Sequence, residues 1–72
     1  MKVIVMNKIY PMNQKEYKKL LQIASENVAF GIYAVEKKGY AELRNDKCKS
    51  ITQLKELTRQ FKSQGYKVLA NR

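Results

Sequence analysis

Apolar residues recur along this chain in two rhythms, a period of two and a period near 3.6, and the alternation between them predicts six elements. Val3, Ile4, Val5, Ile9 and Tyr10 read as a first strand over residues 2–10, ended by Pro11. Asn13-Gln14-Lys15-Glu16 has the form of a capping box, and Met12 and Tyr17 stand at the two positions of a hydrophobic staple. Tyr17, Leu20, Leu21, Ala24 and Val28 then mark one face of a helix over 13–28. Residues 30–36 alternate, Lys37-Lys38-Gly39 follows, and Tyr40 to Arg44 alternates again. This is a hairpin signal, with Gly39 in the left-handed position of a bulged turn. That register pairs Glu36 with Tyr40, Ala34 with Glu42 and Ile32 with Arg44, and places Tyr33, Val35, Ala41 and Leu43 together on the core face. Ser50-Ile51-Thr52-Gln53 is a second capping box. Ile51, Leu54, Leu57 and Phe61 form the apolar stripe of a helix over about 51–64, and Gly65 with Tyr66 provides a Schellman ending. Residues 66–70 read as the last strand, with Tyr66, Val68 and Ala70 on one face.

The order β-α-β-β-α-β predicts an α+β fold of the ferredoxin-like type, a single domain over residues 1–72. Two right-handed crossovers would give a four-stranded antiparallel sheet of order 4-1-3-2 with both helices on one face. The other face would then be open and apolar, carrying Ile4, Met6, Ile32, Tyr40 and Leu69 with lysines at its rim. An exposed patch of that kind marks an interaction site. It could stack bases on Tyr40, or be buried against a second copy or another protein. A chain of 72 residues buries only roughly 60% of its unfolded surface, which makes a partner subunit attractive.

Charge sharpens the choice. The chain has 15 Lys and Arg against 6 Asp and Glu, a net +9, and residues from 47 onward hold seven cations against the single acid Glu56. A field of that sign attracts polyanions, of which nucleic acid is the commonest in a cell. Lys55, Arg59 and Lys62 fall within about 60° of one another on a helix of 3.6 residues per turn, with Lys47 and Lys49 just before it. The five could follow a phosphate backbone, or they could form a solvated face whose stems cover apolar surface. Richness in Lys, Asn and Ile is also what translation of an AT-rich genome produces.

Lys38-Gly39-Tyr40-Ala41 resembles the start of the RNP1 motif of RNA-recognition-motif domains, which share the expected topology. The resemblance implies base stacking on Tyr40. It departs from the pattern at Glu42 and Asn45, where that family has aromatic residues, and at Ile4, which occupies the aromatic position of RNP2. In size and composition the chain is also similar to small proteins of phages and mobile elements in low-GC Gram-positive bacteria.

Several function classes are excluded by what is missing. There is no histidine, and Cys48 is the one cysteine, so neither a disulfide nor a zinc site is expected, and no cofactor is implied. Cys48 lies between two lysines near a helix start, yet it has no histidine or second thiol to work with. No paired carboxylates or phosphate loop points to an enzyme. The apolar run Val3–Met6 is too short for a signal-peptide core or a membrane span, so a cytoplasmic protein is expected. The expectation is a nucleic-acid-binding accessory protein using Lys47, Lys49, Lys55, Arg59, Lys62 and Tyr40. The alternative is a homodimeric or adaptor domain using the open sheet face.

Overall fold

Local signals start and stop the two helices where their caps lie. Asn13 opens α1 (Gln14–Asn27) with a complete capping box. The Glu16 N–H donates to the Asn13 side chain at 2.8 Å, and the Asn13 N–H donates to the Glu16 carboxylate at 3.0 Å. Ser50 opens α2 (Ile51–Ser63) by accepting from the Gln53 N–H at 3.1 Å, while the Gln53 side chain accepts from the Lys49 N–H at 2.8 Å, one residue further out than a capping box requires. At the far end Gly65 takes φ +89°, the Tyr66 N–H reaches back to the Phe61 carbonyl at 3.1 Å, and the Tyr66 ring packs edge-on against Phe61. The computed structural model describes residues 1–72 and adds five strands to these helices. They are β1 (Lys2–Val5), β2 (Lys8–Pro11), β3 (Gly31–Lys37), β4 (Tyr40–Lys47) and β5 (Lys67–Asn71). No helix is long and apolar enough to cross a membrane.

The expected first strand is two strands. Met6 (φ 50°) and Asn7 (φ 68°) form a two-residue reversal, and β2 folds back antiparallel on β1 with Val5 opposite Lys8 and Ile4 opposite Ile9. Two successive positive φ values are the signature of a type I′ hairpin turn, whose twist matches that of the strands. The second hairpin also differs from expectation. Its turn is the two residues Lys38-Gly39, so Lys37 faces Tyr40, Glu36 faces Ala41 and Ala34 faces Leu43. A slip of one residue exchanges the faces of a strand. Val35 therefore lies opposite Glu42, and Ala41 points to the other side of the sheet.

The sheet has the order β2-β1-β4-β3-β5, with β1 and β4 parallel and the other neighbours antiparallel. It replaces the four antiparallel strands expected in the order 4-1-3-2. The β1–β2 reversal turns the chain before α1, so the crossovers β2-α1-β3 and β4-α2-β5 each join parallel strands, and the first pair runs antiparallel to the second. Both crossovers step the same way across the sheet. Right-handed connections then place the two helices on opposite faces, and the packing agrees. Tyr17 of α1 packs with Val3 and Ala41 on one side, whereas Leu54 of α2 packs with Ile32 and Val35 on the other. An irregularity between Ile32 and Ala34 changes the alternation of β3 and lets Ile32 and Val35, three residues apart, share the α2 side. The core is consequently two small apolar clusters divided by the sheet, a distribution that leaves little stability to spare.

Candidate nucleic-acid interface

The disposition of charge follows from these elements. Residues 42, 44 and 46 alternate along β4, so their side chains share the α2 face. The Arg44 guanidinium bonds Glu42 at 2.6 Å and Asp46 at 2.8 Å and lies over the Phe61 ring. These carboxylates, Asp46 first, hold the guanidinium pKa above its ordinary value. On the opposite face the Tyr17 hydroxyl donates to Glu36 at 2.5 Å. Glu16 is taken up by the α1 cap, and Glu56 bonds Arg59 at 2.6 Å one turn along α2. The hydrogen bond from Arg59 lowers the Glu56 pKa. Five of the six acids are thus bonded within the fold, leaving Glu26, whereas all twelve lysines and Arg72 lie outside any ion pair.

Lys55, Arg59 and Lys62 occupy one side of α2, as their spacing requires, and face β5 across a groove floored by Leu54, Val68 and Ala70. Arg72 completes the rim of this groove. Sequence reasoning missed Arg72, although the alternation Val68, Ala70, Arg72 carried the signal. Lys49 is exposed just before α2. Lys47 ends β4, exposed, and lines a separate groove against α1 with Val5, Leu20, Ile23 and Leu43. The structure therefore gathers three of the five expected cations and sets Lys47 and Lys49 apart from them.

Tyr40 stands away from that groove, on β4 beside β1, while α2 covers β3 and β5 on the same face. Its hydroxyl shares a 3.2 Å hydrogen bond with that of Tyr66, and the two rings meet edge-on at 6.3 Å. This bond is the first cause of the raised Tyr66 pKa. Lys37 Nζ lies 4.2 Å from the centre of the Tyr66 ring. In front of Tyr40 is a shallow recess bordered by Lys2, Ile4, Ile9, Lys38 and Gly39. Lys2, Ile9 and Lys38 were not among the expected site residues. Ile9 joins Ile4 only because β2 folds back on β1.

The five residues expected on one open face are dispersed. Ile4 and Tyr40 border the recess, but Ile32 is fully buried beneath α2 and Met6 sits at the tip of the β1–β2 turn. Leu69 pairs with Ala34 on the α1 face. With a helix on each side, no sheet face is open from edge to edge. Cys48 is half-buried against the Ile32–Leu54 cluster, and its thiol reaches the Asp46 carbonyl at 3.6 Å. Comparison with protein-family models, curated proteins and solved structures finds no match to this chain.

Proposed function

We propose that the chain is a small nucleic-acid-binding accessory protein that holds the phosphate backbone along the α2–β5 groove. Lys55, Lys62 and Arg72 supply free cations there. Arg59 contributes a guanidinium already oriented by Glu56. The observation that carries this reading is the partition of charge. The fold bonds five of its six carboxylates internally and leaves every lysine without an acidic partner, so the positive field is directed outward.

Four phosphate contacts imply a salt slope of roughly −3, which amounts to about a 50- to 150-fold loss of affinity between 50 and 200 mM salt. Fluorescence anisotropy with labelled RNA and DNA oligonucleotides reads this directly. The variant Lys55→Glu with Lys62→Glu should weaken binding and flatten the slope while leaving the melting temperature near that of the parent. Absence of binding at 50 mM salt to any single or double strand, or a slope indifferent to the variant, overturns the proposal.

A further inference from the structure

We infer that the recess beside Tyr40 seats an unpaired nucleobase, which makes single-stranded nucleic acid the preferred ligand. The inference rests on the nucleic-acid reading above and adds a second, separate contact surface to it. Strand register builds the site. Pro11, Lys2, Tyr40 and Lys37 form one row across β2, β1, β4 and β3, and Ile9, Ile4, Glu42 and Val35 form the next. α2 covers this face only over β3 and β5, so Ile4 and Ile9 are left without a covering element, and Ile9 is 62% exposed. The resulting recess of about 610 Å³ falls in the range of small-molecule sites.

Its chemistry suits a base with its phosphates attached. Ile4 and Ile9 give an apolar floor, Tyr40 gives an aromatic surface, and Lys2 and Lys38 stand at the rim. No carboxylate borders it, and Glu42, the acid nearest in the rows, is bonded to Arg44 at 2.6 Å. The Tyr40 ring is held in place by the Tyr66 hydroxyl and by the edge-on contacts from Tyr66 to Phe61, so little side-chain freedom remains to be lost on stacking. A Cβ added at Gly39 would meet nothing within 4 Å, so the space beside the turn at the rim of the recess is open. Base stacking needs a free π-face, which a duplex keeps inside its helix, so a double strand can offer this recess only phosphates.

The test is an anisotropy titration of the full chain at 50 mM salt with a labelled 12-mer single strand, as DNA and as RNA, and with the matching duplex. The single strand is expected to bind more tightly. Tyr40→Ala should lower its affinity by about 5- to 100-fold and leave duplex binding nearly unchanged. Tyr40→Phe keeps the ring but loses the bond to Tyr66, and should retain single-strand binding. Ile9→Ser, at an exposed edge position where folding is not at stake, should weaken the single strand several-fold and spare the duplex. Equal affinity for single strand and duplex, or equal losses on both in Tyr40→Ala and Ile9→Ser, overturns the inference and leaves the broader reading standing. Failure of both ligands to bind at 50 mM salt removes the two together. A fall with Tyr40→Phe as large as that with Tyr40→Ala also overturns stacking, because the hydroxyl rather than the ring would then be the contact.

Discussion

Gly31 is the position where one methyl group should do the most damage. It lies within the sheet, opposite Lys47 of β4 and Asn71 of β5, at φ +145°. A Cβ there would stand 2.1 Å from the Asp46 carbonyl oxygen and 3.0 Å from the Lys47 Cα. Both are backbone atoms of a paired strand, so relief requires β3 to part from β4 just where the Cys48 N–H bonds the Phe30 carbonyl at 2.9 Å. Holding a side chain at this φ costs about 1–3 kcal/mol by itself. With the hydrogen bonds and the Ile32 packing disturbed beside it, Gly31→Ala should lose about 3–4 kcal/mol. A domain of this length has roughly 4–11 kcal/mol in total, at about 0.05–0.15 kcal/mol per residue. Gly39→Ala is the control. It shares a positive φ, +88°, but its Cβ meets nothing, so it should lose only about 1 kcal/mol. Urea unfolding followed by far-UV circular dichroism reads the difference. With a slope near 1 kcal/mol per molar urea, the two midpoints should differ by about 2–3 M. Midpoints within about 0.5 M of each other would refute the close β3–β4 approach from which the estimate is built.

Met6→Asn with Asn7→Gly places preferred residues at both left-handed turn positions. Because Met6 is 89% exposed and loses no packing, the change should stabilise the fold by about 1 kcal/mol, measured as a raised urea midpoint. The Tyr17 phenol is held well above its ordinary pKa, first by burial and then by the bond to Glu36. The unfolded chain ionises it near pH 10 while the folded chain keeps it protonated, so its contribution is complete below about pH 10 and declines above it. The stability gap between the parent and Tyr17→Phe should therefore narrow between pH 9 and pH 11 in thermal melts, and a constant gap would contradict the buried bond. Leu21→Ala and Leu57→Ala act on clusters divided by the sheet, so their costs should add to within about 0.5 kcal/mol in a double-mutant cycle. A larger coupling would mean that the two helices share one core.

Much of this architecture is legible within windows of a few residues. Asn13 with Glu16, Ser50 with Gln53, and Gly65 with Tyr66 bound both helices to within a residue or so, because caps are bonds between neighbours in the chain. The stripe of Lys55, Arg59 and Lys62 is equally local, since helical geometry alone aligns it. Tyr40 is recognisable as an uncommitted aromatic residue, but the recess in front of it is not, because Ile9 arrives there only through the β1–β2 reversal. That reversal has a weak signature: Asn7 suits a left-handed turn position, Met6 does not, and the run of β-branched residues around them reads as one continuous strand.

The amino-acid sequence by itself determined the helices, their ends, the existence of the hairpin after β3 and the excess of cations toward the far end of the chain. Each of these depends on contacts across one turn of helix or on simple composition. Tertiary structure alone decided the register of that hairpin, the side of the sheet that β5 joins, and the division of the helices between two faces. These depend on parity. A two-residue turn in place of three exchanges the faces of β3 relative to β4, and one extra reversal at Met6-Asn7 inverts the direction from which α1 departs. The local free-energy differences between such alternatives are small, and burial of Ile32, Val35 and Leu54 on one side and of Val3, Tyr17 and Ala41 on the other selects among them only once distant strands have met.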